Sequence, residues 1–178
     1  MSKFEITAYK HLPASYEPYD VRSAEVAQIL ARAIQDPDLR LRVDHIGSTS
    51  VPGLSGKGVI DLAVTYAEGD LETAKAALDR LGFQHQNGRD PWPEARPMRV
   101  AGIAALGAAF RVHAHVIVRD GEEHRQLLGF RNALREDAGL REAYENAKRA
   151  ILRRGITDSL DYCDAKSEFI ASSLAKVL

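Results

Sequence analysis

The chain has 178 residues, of which 45% are hydrophobic and 28% are charged, so it is long and apolar enough for one globular domain with a real core. Its formal net charge of −1 gives no overall basic excess for binding nucleic acid or an anionic membrane. The single Cys163, expected to be a buried or half-buried structural thiol, excludes an internal disulfide framework. With no signal-peptide pattern and no apolar run near the ~20 residues of a membrane span, we predict one domain over 1–178 in a soluble cytoplasmic protein.

The first part of the chain predicts an edge strand, a helix and a second strand. Residues Phe4–Tyr9 alternate between apolar and polar side chains, as a short strand does. A helix is expected from Val21 to about Gln35, with its apolar side chains on one face, and Asp36–Asp38 should end it. Leu39–Ile46 is predicted to be the next strand.

The stretch VDHIGSTSVPGLSGKGVIDLAV, residues 43–64, predicts a strand, a tight Gly-Ser loop, a connector rich in Gly, Pro and Ser, and a second strand over Val59–Val64. The second strand is apolar and β-branched apart from Asp61. Burying a carboxylate in such a strand is costly unless a partner accompanies it. Asp61 is therefore the first candidate site residue.

The middle of the chain continues with a helix over Leu71–Leu81 and a short strand over Phe83–Gln86. Residues Asn87–Pro97 contain three prolines and a tryptophan and predict a loop that can act as a mobile flap. Met98–Ala105 and Phe110–Val118 then predict an antiparallel strand pair.

The rest of the chain predicts three helices. They are expected over Glu122–Glu136, over Leu140–Arg153 after a break at Gly139, and from Asp158 or Ser159 to about Leu174. Strands followed by a run of helices indicate an α+β protein, with a small mixed sheet and a helical C-terminal segment packed on it.

Two features of the Gly-Ser region suggest that it binds an anion. Backbone N–H groups at Gly47-Ser48 and the hydroxyls of Ser48 and Thr49 could form a phosphate cradle, although a plain turn has the same composition. Lys57 could neutralise a bound phosphate or pair with Asp61, although a lysine in a loop is more often solvated.

The second informative strand is Arg111–Val116, where Arg111, His113 and His115 alternate with apolar residues and so share one face. Two histidines at i and i+2 could bind a metal together with Asp61. One of them could instead transfer protons near neutral pH. The remaining alternative is a polar sheet face whose histidines are simply hydrogen-bonded.

These motifs resemble known families. A Gly-Ser loop followed by an apolar strand with an Asp is similar to the signature of the nucleotidyltransferase superfamily, and HIGSTSVPGLSGKGVIDLAV resembles that of the GrpB family. Only the start of the chain departs from the family pattern: it has Tyr9–Pro13 and Tyr16–Tyr19 but lacks the tryptophan of a Tyr-(Asp)-Pro-x-Trp-Pro element. The resemblance continues, in chain order, through His113-Ala114-His115-Val116, Gly129–Arg135, Tyr144, Lys148, Tyr162, Lys166 and Phe169-Ile170.

The resemblance implies an α+β nucleotidyltransferase-like mixed sheet with helices packed on it. It implies that Asp61 holds Mg²⁺, or Zn²⁺ or another transition metal, that the Gly-Ser loop and Lys57 hold a triphosphate, and that His115 assists proton transfer. The superfamily has a second carboxylate two residues after the first, where this chain has Ala63, and no third carboxylate is evident. Two-metal phosphoryl chemistry therefore lacks most of its usual ligands.

The expected ligand is a nucleotide or another phosphorylated molecule, with nucleotidyl transfer as the expected reaction. One alternative is a non-catalytic module that assists a partner, such as dephospho-CoA kinase, to which family members are fused; another is a metal-assisted hydrolase. Asp61 and His115 are the predicted catalytic residues, and Asp61, His113 and His115 the predicted metal ligands. The predicted ligand-binding residues are His45, Gly47, Ser48, Thr49, Lys57, Arg111, and, at family motif positions, Arg131 and Lys166.

Overall fold

The computed structural model describes residues 4–35 and 40–177. The predicted helix end at Asp36–Asp38 lies outside the described residues. The strands are β1 (Glu5–Thr7), β2 (Arg42–Ile46), β3 (Val59–Tyr66), β4 (Gln84–His85), β5 (Met98–Ala105) and β6 (Ala108–Val118). They form one six-stranded sheet in the order β1-β5-β6-β3-β2, with β4 also paired to β5.

The sheet is mixed, and its one parallel pair within the described chain lies at its centre. β3 runs parallel to β6, whereas the other paired strands are antiparallel. The parallel register places Asp61 opposite His113 and Ala63 opposite His115. The candidate residues of two separate motifs are therefore neighbours in the middle of the sheet.

One face of the sheet carries the main hydrophobic core. Ile60, Leu62 and Val64 of β3 point into it, as do alternate residues of β6. The helices α1 (Arg22–Ile34) and α2 (Leu71–Leu81) cover this face with their apolar sides. Because side chains alternate along a strand, Asp61 and Ala63 must face the opposite side.

The opposite face is partly covered by the helical C-terminal segment, which comprises α3 (Glu122–Glu136), α4 (Ala138–Arg153) and α5 (Ser159–Val177). Leu127 and Leu128 of α3 pack on a small apolar cluster of the sheet that includes Ala63. The second and third of these helices pack on α3 and on the connector after the Gly-Ser loop. That contact is made by Val51, Leu54, Leu134, Tyr144, Phe169 and Ile170.

The predicted α+β class, with a mixed sheet and a helical C-terminal segment, is confirmed. Two details predicted from the sequence are wrong. Gly139 lies inside α4, and the break between α3 and α4 falls at Asp137. The backbone of Asp137 is extended, and its Oδ1 caps α4 by accepting a hydrogen bond from Leu140 N at 3.0 Å. Cys163 is exposed rather than buried, and its Sγ lies 3.6 Å from the amine of Lys57. Within the described ranges, no helix has both the length and the apolar composition needed to cross a bilayer.

Candidate functional site

The centre of the candidate site is Asp61 of β3 with two histidines of the neighbouring strand. His113 Nδ1 lies 3.4 Å and His115 Nε2 3.7 Å from Asp61 Oδ1, and the side chain of Asp61 is 26% exposed. The predicted proximity of these three side chains is therefore observed. It follows from the parallel register of β3 and β6, because residues paired across two strands share a face.

The outer nitrogens of the two histidines each have a partner that the sequence did not indicate. Tyr9 Oη lies 2.6 Å from His113 Nε2, and Arg96 Nη1 lies 3.3 Å from His115 Nδ1. A guanidinium only donates hydrogen bonds, so His115 Nδ1 must be the acceptor and the proton of the neutral ring is on Nε2, toward Asp61. By the same logic the Asp61 carboxylate favours a proton on His113 Nδ1, so Tyr9 donates to His113 Nε2.

The histidines keep Asp61 ionised. Burial acts to raise the pKa of Asp61, but the neighbouring imidazoles of His113 and His115, 3.4 and 3.7 Å away, outweigh it and hold that pKa well below its usual range. Burial lowers the pKa of His113, and the nearby carboxylate only partly compensates. Near neutral pH the site is thus an anionic carboxylate beside a neutral His113.

These side chains fit a metal only in part. One ligand atom from each of Asp61, His113 and His115 lies within 4.8 Å of the others, and a set rich in imidazole suits a transition metal better than Mg²⁺. His113 can turn a free nitrogen toward an ion, because Tyr9 can also accept a hydrogen bond. His115 cannot do so while Arg96 donates to its other nitrogen. Asp61 and His113 are therefore the pair best placed to hold an ion.

The Gly-Ser loop, Gly47–Ser50, lies directly against this carboxylate. Gly47 has φ +70°, and a Cβ there would lie 3.0 Å from Asp61 Cγ and closer still to Oδ2. Ser48–Ser50 form one turn of 3₁₀ helix, in which Thr49 Oγ1 donates to Val59 O at 3.1 Å and Ser50 Oγ donates to Gly47 O at 2.6 Å. Two of the three hydroxyls thus stabilise the loop itself.

A small cleft of about 40 Å³ opens beside Ser48 and Asp61. We call it the lysine cleft, because three lysines line it: Lys57, whose amine donates to Ser159 Oγ at 3.0 Å, Lys148 and Lys166. Lys148 Nζ lies 3.5 Å from Ser48 Oγ and also donates to the Ser55 carbonyl. The lysine cleft is lined by Ser48, Lys57, Gly58, Val59, Asp61, Lys148, Tyr162 and Lys166.

Tyr162 forms the wall of the lysine cleft between the other two lysines. Lys57 Nζ and Lys166 Nζ lie 5.4 and 4.8 Å from the centre of its ring. Burial raises the pKa of Tyr162 to about 12, so it stays a hydrogen-bond donor. Its buried hydroxyl has no hydrogen-bond partner in the described part of the chain, a situation that costs about 1–3 kcal/mol. A ligand oxygen in the cleft would supply that partner.

Lys148 is the most perturbed of the three lysines. Its side chain is fully buried, and burial lowers its pKa to about 7, with Lys166 lowering it further. The amine lies 4.6 Å from the Tyr144 ring, which partly replaces its hydration. A buried amine that is half charged near neutral pH gains most from an anion beside it.

Several residues predicted to bind a ligand make contacts within the protein that hold the loops in place. Arg131 Nη1 donates to His45 O at 3.0 Å, and Arg111 Nη2 donates to Lys57 O at 2.5 Å. His45 pairs with Leu62 in the β2–β3 register, so it lies on the main-core side, where Thr49 Oγ1 is 2.9 Å from its Nε2. Of the predicted ligand-binding residues, Ser48, Lys57 and Lys166 line the cleft.

Four site residues were absent from the sequence-based set: Tyr9, Arg96, Lys148 and Tyr162. Lys148 and Tyr162 match positions of the family pattern, and Tyr9 is what remains of its N-terminal element, so the resemblance carried a weak signal for each. Arg96 had none, because it lies in a loop whose path the sequence does not define.

Comparison with known proteins gives a consistent family assignment. Residues 10–176 match the family model described as GrpB protein. A UPF0157 protein of Streptomyces coelicolor is 39% identical over 153 residues, which cover 85% of this chain and 77% of that protein. A UPF0157 protein of Halalkalibacterium halodurans is 30% identical over 131 residues, which cover 73% of this chain and 64% of that protein.

Solved structures share the fold. The crystal structure of the conserved protein GrpB from Enterococcus faecalis superimposes with a TM-score of 0.65 and 24% identity, covering 92% of this chain and 96% of that one. The Cid1 poly(U) polymerase gives a TM-score of 0.49 at 14% identity over 76% of this chain and 42% of that one, too little to carry an argument about the site.

Proposed function

The chain belongs to the GrpB family, and we propose that it binds a nucleotide or another phosphorylated ligand in the lysine cleft beside Asp61. The observation that carries the proposal is the convergence of three lysine side chains on one small cleft next to the Gly-Ser loop. The charge of Lys166 lowers the pKa of Lys148, and a polyanion beside the two amines would offset that repulsion.

Two further observations support a phosphate-like ligand. The depressed pKa of Lys148 means that this buried amine lacks a compensating negative charge, because Glu145, the carboxylate that acts on it, does not offset burial. Tyr162, whose buried hydroxyl has no hydrogen-bond partner among the described residues, lines the same cleft. Phosphate oxygens accept from both kinds of group.

Nucleotidyl transfer is the reaction that this arrangement would favour. An acceptor oxygen would bond to the α-phosphorus, the bond from that phosphorus to the bridging oxygen would break, and pyrophosphate would leave with the lysines around it. Asp61 would hold a single divalent ion, which would supply charge neutralisation when bound. The acceptor's proton would pass to a base at the site, the role predicted for His115. Arg96 would first have to release His115 Nδ1, because Nε2 carries the ring's proton while that hydrogen bond lasts.

Two alternatives have observations of their own. Ala63, in place of the second carboxylate, favours a binding module that carries out no transfer and assists a partner such as dephospho-CoA kinase. The Asp61, His113 and His115 cluster favours metal-assisted hydrolysis. Products separate the three: a labelled nucleotidyl acceptor indicates transfer, free phosphate indicates hydrolysis, and binding with neither supports the module.

The test is a thermal-shift and calorimetric screen of the four nucleoside triphosphates, coenzyme A and inorganic tripolyphosphate, with and without Mg²⁺. A ligand at a hundred times its dissociation constant stabilises the folded protein by about 2.7 kcal/mol. We expect at least one of these compounds to do so, and Lys148→Met to weaken its binding strongly while leaving it measurable. Asp61→Asn should remove only the part that depends on Mg²⁺.

The control is Arg80→Met, which also removes one positive charge. Arg80 is an exposed residue of α2, the helix that covers the main-core side of the sheet. The variant should bind like the wild type. If none of the compounds stabilises the wild-type protein, or if Lys148→Met and Arg80→Met behave alike, the lysine cleft is not the ligand site.

A further inference from the structure

Trp92 in the predicted flap is held beside the site although much of it faces solvent. Its side chain is 45% exposed, and the Arg96 guanidinium lies 4.1 Å from its ring centre. Arg96 also forms an ion pair with Glu123 and donates to His115 Nδ1. One side of the indole is thus covered by a cation whose charge Glu123 already balances.

The loop around Trp92 is tied to the sheet at several points. Its backbone N–H donates to Gln86 Oε1 at 3.1 Å. Glu94 accepts two hydrogen bonds from the buried Arg99, at 3.0 and 3.1 Å, and pairs with Lys75 at 3.0 Å. These contacts hold the backbone on both sides of Trp92, and the Arg96 guanidinium packs on the indole itself.

Trp92 is connected to the lysine cleft through His115 and Asp61. The Trp92 ring is 6.2 Å from the ring of His115 and nearly perpendicular to it, and His115 Nε2 is 3.7 Å from Asp61 Oδ1. Asp61 itself lines the lysine cleft. His115 and Asp61 therefore connect an exposed aromatic surface to the cleft that Lys57, Lys148 and Lys166 line.

We infer that Trp92 is the stacking surface for the base of a nucleotide whose phosphates occupy the lysine cleft. The inference rests on the proposed function and narrows its ligand class from phosphorylated molecules to those with a flat heterocyclic ring. An indole backed by a guanidinium offers such a ring a rigid, polarised surface. Because every base has a π face, stacking alone selects nucleotides over sugar phosphates and polyphosphates without selecting among the bases.

The test compares two probes that share a triphosphate and differ in the base. Inorganic tripolyphosphate and ATP, each with Mg²⁺, are titrated by calorimetry into wild type, Trp92→Phe and Trp92→Ala. ATP should bind wild type at least about fivefold more tightly than tripolyphosphate. That factor corresponds to the smallest contribution typical of one base stacked on an aromatic side chain. Trp92→Ala should remove that difference, and Trp92→Phe should keep most of it.

Fluorescence gives a second readout, because Trp92 is the single tryptophan of the chain. ATP should quench the emission of the wild-type protein, whereas tripolyphosphate should leave it nearly unchanged. The matched control is Leu106→Ala, which also truncates an exposed apolar side chain but lies at the turn between β5 and β6.

The outcomes separate the two proposals. If both probes bind equally well to wild type and to Trp92→Ala, the stacking inference is overturned and the phosphate site stands. If neither probe binds any form, the proposed function fails and this inference fails with it. If Leu106→Ala weakens ATP binding as much as Trp92→Ala does, the loss does not depend on the position of the truncated side chain, and the stacking inference is again overturned.

Discussion

At the scale of single residues, the Gly47 backbone lies so close to the Asp61 side chain that it leaves no room for a Cβ. We predict that Gly47→Ala displaces Asp61, because the added Cβ would overlap that side chain. It should reduce Mg²⁺-dependent ligand binding by about tenfold or more, as misplacing a binding group by a fraction of an ångström does, and should lower stability by about 1–2 kcal/mol because φ is positive. Ligand titration and urea unfolding measure the two effects.

Gly53→Ala is the matched control for that prediction. Gly53 also has a positive φ, +79°, but a Cβ there would meet nothing within 4 Å. Both variants should therefore be destabilised by backbone strain, and only Gly47→Ala should lose binding. Equal binding losses would show that the contact with Asp61 is not what the ligand depends on.

Lys148 makes the proposed binding depend on pH. Its pKa of about 7 in the folded protein lies below its ordinary 10.5, so an anion that binds the charged amine must supply the energy to protonate it above pH 7. We predict that affinity for tripolyphosphate is greatest below pH 7 and falls by up to roughly tenfold per unit above it. Calorimetry from pH 6 to pH 9, in buffers of different ionisation enthalpy, should show proton uptake on binding.

The same shift affects stability with a definite sign. Between about pH 7 and pH 10.5 the unfolded chain holds a proton on Lys148 that the folded chain has lost, so this residue's contribution to stability rises with pH across that window. Lys148→Met should flatten both the dependence of affinity on pH and the dependence of stability on pH. It is also the control for the probe, whose own titration affects the variant and the wild type alike. A wild-type affinity that falls no more steeply than that of the variant contradicts this role.

At the scale of elements, periodic segments could be predicted and long-range contacts could not. The alternation of β6 and the apolar face of α2 depend on local spacing, and both elements form as expected. Lys148 meets Ser48 across 100 residues of sequence, and no local pattern specifies which face of α4 packs on the connector. The same holds for Arg96, which reaches His115 from an irregular loop.

The connection between α3 and the Gly-Ser loop is the element contact that is easiest to test. Arg135 donates twice to the Ser50 carbonyl, from Nε at 3.0 Å and from Nη2 at 2.7 Å. We predict that Arg135→Met costs about 1.5–3 kcal/mol of unfolding free energy, the usual value for hydrogen bonds to a charged group. Arg135→Lys should recover little, because an ammonium cannot reproduce the two-pronged geometry. Urea unfolding gives the numbers.

Arg153→Met is the matched control, since Arg153 is an exposed arginine in the last turn of α4. It should change stability by less than about 0.5 kcal/mol. If Arg135→Met is equally mild, the loop conformation is set by its own hydroxyls and by Gly47, and α3 has no part in it.

At the scale of the whole molecule, the proposed site exists only where the sheet and the helical segment meet. The strands supply Asp61 and Val59, whereas Lys148 comes from α4 and Tyr162 and Lys166 come from α5. Neither half closes the lysine cleft alone. A ligand in it must therefore stabilise the contact between the two halves in addition to its own contacts.

Hydrogen exchange tests this coupling directly. On adding Mg²⁺ with the tightest-binding nucleotide or with tripolyphosphate, amide exchange should slow in the connector and in the α5 turns around Tyr162 and Lys166. It should stay unchanged in the N-terminal half of α2, which packs on the main-core face away from the cleft. Protection spread evenly over every element would mean that the ligand stabilises the fold globally, and protection confined to the exposed surface of α2 would place the ligand elsewhere. Slowing restricted to the cleft elements would show that the helical segment closes the site. Amides there exchange when these helices open away from the sheet, and a ligand held by both halves opposes that opening.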